Sequence, residues 1–156
     1  MTSTSATIVA IGVMLVLVII VSGYLVMESR NIMSVVKTAV TQAVAMDLLN
    51  TMEDCLIYTI FNGDSCDVYI VLNSKIDIEL VNNTIRLHVH GSRPAKIDLD
   101  ELSRLLGRVA EKYSRNISVQ VVVKNMSEVS IIHVNSTIAT YGATNKIFIH
   151  LWSETK

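Results

Sequence analysis

The side chains best suited to chemistry in this 156-residue sequence are four histidines, two cysteines and a small group of acids. His88 and His90 lie two apart in a stretch of alternating apolar and polar residues, so both point to one face of a strand. With His133 and His150 on other predicted strands they could form a three-histidine metal site. The competing reading is a plain solvent face, because Asp77 falls opposite His88 in the hairpin register derived below. That reading is preferred, and no metal or other cofactor is expected. Cys55 and Cys66 are a short loop apart and suit a disulfide closed in an oxidising compartment; the alternative is two buried thiols. Asp98, Asp100 and Glu101 look like a carboxylate cluster, but acids at a helix start interact favourably with the helix dipole, which explains them without catalysis. There is no G-x-S-x-G and no Gly-rich loop after a strand, so no catalytic residue is assigned and an enzyme is not expected. Four N-x-S/T sequons, at Asn82, Asn116, Asn125 and Asn135, are candidate glycosylation sites.

These residues sit in a chain of uneven composition. Hydrophobic side chains make up 51% and charged ones 17%, against about 25% charge in an ordinary soluble domain. The excess is concentrated at the N-terminus, where no charged side chain precedes Glu28. Thr7 to Met27 gives about 31 Å of helix at 1.5 Å per residue, matching a hydrocarbon core of about 30 Å. A cleaved secretory signal would carry basic residues ahead of a shorter apolar core; MTSTSA carries none, so residues 7–27 are read as a transmembrane segment behind a tail of residues 1–6. Arg30 and Lys37 just after the span favour a cytoplasmic C-terminal part. The cysteine pair and the sequons point the other way, and an extracytoplasmic C-terminal domain on a single-pass membrane protein is expected. The 13 basic and 14 acidic residues nearly cancel, and the basic ones are dispersed, so no nucleic-acid partner is indicated.

Residues 28–61 contain neither proline nor glycine, so nothing stops the helix at the lipid surface. Met33, Val36, Val40, Val44, Leu48 and Met52 recur at steps of three and four as one apolar stripe, which predicts an amphipathic stalk. The stripe could serve as an assembly face, with Ala39, Ala43 and Ala45 allowing close approach, or it could pack on the chain's own sheet. Asn62-Gly63 supplies the stop, for a helix of roughly 80 Å.

Beyond it the period changes to two. Ile76, Ile78 and Leu80 alternate with Asp77 and Glu79, and Ile85, Leu87 and Val89 with Arg86, His88 and His90, around an Asn82-Asn83 turn. This register pairs Leu80 with Ile85, Ile78 with Leu87 and Ile76 with Val89 on one face; on the other it pairs Glu79 with Arg86 and Asp77 with His88. A strand at 67–72 precedes the hairpin. Asp98 caps a helix running to Tyr113, and strands follow at 117–124, 129–134 and 146–152. The expected fold is α+β: a long N-terminal helix, then a head over residues 62–156 with an antiparallel sheet and one additional helix.

A short polar N-terminus, the span TIVAIGVMLVLVIIVSGYLVM, an unbroken amphipathic continuation and a β-rich head with the hairpin KIDIELVNNTIRLHVHG resemble, in that order, the archaeal type IV pilin and archaellin superfamily. The resemblance covers the first 60 residues well and the head in outline. It implies a membrane-anchored structural component of a surface filament, with the lipid bilayer, other pilin-like subunits or further copies, and an envelope protein as partners. MTSTSA lacks the basic residues and glycine that precede cleavage in family precursors, and the span has no early acid. These departures make the accessory, membrane-retained members, such as the archaellum F- and G-type proteins, the nearest comparison. The alternative expectation is a bitopic protein whose head is a binding or adhesion module.

Overall fold

The apolar run forms one helix, α1 (Ser3–Asn62), that begins four residues ahead of Thr7, inside the segment read as a tail. The structure is a computed structural model describing residues 3–89, 92–114 and 116–153, with side chains from residue 14 onward. The chain divides into two units, the first ending at Val36 and the second starting at Lys37. The stretch read as one stalk, 28–61, is therefore shared between them. In the first unit every side chain from Met14 to Val36 is exposed, and α1 is the one helix among the described residues long and apolar enough to cross a membrane.

In the second unit, α1 ends where Gly63 takes φ 71° and its N–H donates to the Thr59 carbonyl at 3.0 Å. Glycine pays no Cβ penalty there. The strands β1 (Cys66–Val81), β2 (Thr84–His88) and β3 (Ala95–Asp98) follow, then α2 (Leu99–Tyr113), then β4 (Ile117–Val123), β5 (Met126–Tyr141) and β6 (Thr144–Trp152). They form a six-stranded sheet in the order β3-β2-β1-β5-β6-β4. Side chains from both helices and all the strands except β3 meet in one buried cluster, with Leu48, Met52 and Leu56 of α1 and Ile78, Ile132 and Ile149 of the sheet fully buried. Residues Ala95 and Ile97 of β3 pack against it.

The expected hairpin is present in the expected register, from Asp77 opposite His88 to Leu80 opposite Ile85. Asn82 and Asn83 both have positive φ, 48° and 62°, as a two-residue hairpin turn with right-handed strand twist requires. The pairing stops at His88, however. The Val89 N–H turns instead to the Ser92 and Thr41 hydroxyls, at 3.1 and 3.4 Å. Asp98 caps α2 as expected, its Oδ1 accepting from the N–H groups of Asp100 and Glu101.

Four features differ from the sequence-based expectation. The segments 67–72 and 76–80 are one strand, β1, interrupted only by register shifts against β5. Strand β3 is an addition, four residues long just after Pro94, at the edge position where a missing N–H costs least. Strand β5 runs on past the expected end at Val134 through the polar triplet Asn135-Ser136-Thr137, with Ser136 buried and its neighbours half-exposed on the opposite face. Finally, the sheet is mixed: β4 and β6 are parallel, and the other four pairings antiparallel. Helix α2 carries the chain from one sheet edge to the other; its 15 residues span about 22 Å, close to five strand spacings of about 4.8 Å. The hairpin β5–β6 then fills the space between β1 and β4, which makes its returning strand run with β4.

Cys55 on α1 and Cys66 at the start of β1 form a disulfide with Cα atoms 5.5 Å apart. It closes the loop that turns the chain from helix to sheet. Loop-closure entropy for a ring of this size gives about 3 kcal/mol. Reducing the full chain in detergent micelles, or making Cys55→Ser with Cys66→Ser, should lower the free energy of unfolding of the second unit by about 2–4 kcal/mol in urea titrations.

Candidate functional site

Both helices pack into the buried cluster on the inner face of the sheet, so among the described residues no helix covers the outer face over β1, β5 and β6. Register places Tyr69, His133 and Trp152 side by side across three strands, and Asp67, Asn135 and His150 in the next row. The His133 and Trp152 rings stack at 5.3 Å and 16°, and Tyr69 stands 6.3 Å from His133 on the other side. Phe148 lies 6.3 Å from His150, with the Lys146 ammonium 5.0 Å over its ring. Tyr69 is 65% exposed, while the other rings are half-buried by one another. Such a row offers ring surface and polar edges to a ligand but holds no nucleophile with an adjacent base. The sequence carries a trace of it in the period-two series Phe148, His150, Trp152 within the strand expected at 146–152.

The histidines considered as metal ligands do not gather into one group. His88 Nε2 is 3.5 Å from Asp77 Oδ2, the cross-strand pair its register dictates. His133 and His150 face rings, and His90 lies outside the described residues. Among the described residues, no three His, Cys, Asp or Glu side chains come together as a metal-binding group. Asp77 has a structural task. Its Oδ1 accepts from the Ser127 hydroxyl at 3.0 Å and from the Glu128 N–H at 2.7 Å, where β5 bends with Glu128 at φ 51°. It thereby pins the irregular stretch where β1 and β5 lose register.

The sequons fall in three settings. Asn82 and Asn116 are exposed at positive-φ turn positions. Asn125 is exposed too, but its Oδ1 accepts from the Leu80 N–H at 2.8 Å, beside a cleft of about 320 Å³ between β1 and the β4–β5 connection. Asn135 is half-buried in the middle of β5.

The stripe read as an assembly face divides. Met33 and Val36 are exposed in the first unit, whereas Val44, Leu48 and Met52 are buried in the second, with Val40 packed against them. Ala45 is buried as well, and Ala39 and Ala43 are exposed. From Val40 onward the stripe serves the chain's own core, because the sheet offers it a continuous apolar partner. No family model, curated protein or solved structure matches the chain.

The division has a direct test. Leu48→Ala removes a fully buried side chain and should destabilise the second unit by about 3 kcal/mol, while Met33→Ala should change its unfolding by less than about 0.5 kcal/mol. Equal effects of the two substitutions on urea unfolding would contradict it.

Proposed function

We propose that this protein is a single-pass, membrane-anchored pilin-like component of an archaeal surface filament or of its envelope anchor, with the head outside the cell. The observation that carries the reading is α1 itself, a single helix whose side chains are exposed throughout 14–36 and mostly apolar there, and whose later residues form part of the core of an α+β head. Exposed apolar surface on that scale is unfavourable in water and is satisfied by lipid or by the same surface of neighbouring subunits. The disulfide and the exposed sequons Asn82 and Asn116 suit an oxidising, extracytoplasmic side.

A second reading, a bitopic protein whose head binds a sugar or another envelope component, draws on the ring row of Tyr69, His133 and Trp152. Shearing the source cells separates the two. An accessory pilin-like protein should remain with membranes, co-purify with filament-base components and retain Met1 or Thr2 at its N-terminus. Glycopeptide mass spectrometry should find Asn82 and Asn116 occupied ahead of Asn125 and Asn135. Recovery as isolated monomers with no filament-base component would remove the pilin-like reading, and sugars unattached at all four sites with free thiols would remove the extracytoplasmic placement.

A further inference from the structure

Strand β1 is paired on both sides only around Asp77 and Ile78, where its pairing with β5 ends and its pairing with β2 begins. It pairs with β5 from Cys66 onward, but with β2 only from Asp77 to Val81. Over Cys66–Ser74 no strand or turn among the described residues occupies its other edge, so its outward N–H and C=O groups have only solvent to bond. Natural edges are usually blunted by lysine, proline or a covering element. This one reads CDVYIVLN, with Val68 40% and Val71 65% exposed, and it keeps regular register with β5 until the shift after Val71.

Beside that edge runs one stripe of α1, and two consecutive clefts lie between them. One, of about 300 Å³, is lined by Thr51, Asp54, Cys55 and Tyr58 of α1 and by Cys66 and Val68 of β1. The other, of about 290 Å³, is lined by Ala43, Val44 and Asp47 together with Ile70, Leu72 and Ser74. Ala43, Asp47, Thr51, Asp54 and Tyr58 are spaced four, four, three and four apart, so they share one helix face. The two clefts thus form a groove with a helix for one wall and an unpaired strand edge for the other, about 26 Å long over nine strand residues. Its charge is one-sided. Residues 38–74 contain Asp47, Glu53, Asp54, Asp64 and Asp67 and no lysine or arginine. Asp47 and Asp54 line the clefts, and neither is in an ion pair among the described residues.

We infer that this groove takes an extended segment of another polypeptide, added as a strand to the free edge of β1. Its alternate apolar side chains fill the two clefts, and its lysine or arginine side chains face Asp47 and Asp54. Main-chain hydrogen bonds to β1 supply sequence-independent affinity, the clefts select apolar side chains at a two-residue period, and the carboxylates reject acidic segments. The inference goes beyond the pilin-like reading and does not depend on what surrounds residues 14–36.

The test uses the full chain in detergent micelles and a fluorescent nine-residue peptide alternating valine and threonine, with two lysines on one face. Fluorescence anisotropy should show saturable binding. Binding should fall about tenfold when the lysines are replaced by glutamate, or when the protein carries Asp47→Asn with Asp54→Asn, and it should weaken with salt. Methylating alternate backbone nitrogens of the peptide, which leaves its side chains intact, should abolish binding. Both asparagine replacements are at exposed positions, and the peptide variants give the same information without altering the protein. The inference is overturned if lysine, glutamate and methylated peptides bind alike, if none binds at millimolar concentration, or if sedimentation shows the edge closed by a second copy in a dimer that Val68→Lys dissociates.

Discussion

Burial of one face of α1, from Val44 to Leu56, against a single sheet is the interaction on which the remainder of the second unit depends. Leu48, Met52 and Leu56 are fully enclosed, and each contributes roughly 2 kcal/mol of apolar transfer. Without that helix the inner face of the sheet would be open over its central strands, since α2 buries only Leu102, Leu106 and Ala110. The polar contacts of α1 sit at the margins of this packing. Thr41 bonds Val89 and Ser92 at one end, and Thr59 reaches the Ser136 carbonyl at the other. The disulfide then fixes where helix and sheet separate.

What could be read from the residues was what is decided locally. The β1–β2 register follows from two alternating patterns around Asn82-Asn83, because a slip of one residue would oppose apolar to charged side chains. Asp98 as a cap and Gly63 as a stop follow from the unsatisfied ends of helices. What escaped depends on partners far apart in sequence. Nothing within Ile117–Val123 says that it will lie parallel to β6, because that neighbour is set by α2 crossing the sheet. Asn135-Ser136-Thr137 has turn chemistry taken alone; it stays extended because Ser136 faces the core and is held between β1 and β6. The ring row of Tyr69, His133 and Trp152 combines residues from three strands and exists only after the register is set.

The same division applies to function. A helix of lipid length is visible in composition alone, whereas whether an apolar stripe meets another molecule or the chain's own sheet is decided only by packing. Here it does so by position. Met33 and Val36 remain available, and Val44, Leu48 and Met52 are already committed. An interaction role for the second unit therefore falls on surfaces other than the buried stripe: the open sheet face and the unpaired edge of β1.

The strand order sets a schedule for folding. Strands β5 and β6 are last in chain order yet occupy the middle of the sheet, between β1 and β4. As the chain emerges from synthesis, β1–β2–β3 and β4 would flank a gap two strands wide, with α2 already spanning it. Closing that gap requires threading a hairpin of 27 residues, from Met126 to Trp152, into a space bounded on both sides, and its partners are as much as 70 positions earlier in the chain. Contacts of such sequence separation form slowly. Until they form, two apolar strand edges are unpaired at once, a state prone to pairing with other chains. Synthesis of this chain would thus place a premium on chaperoned folding, and truncations before Trp152 would remove the sheet's centre rather than trim its rim.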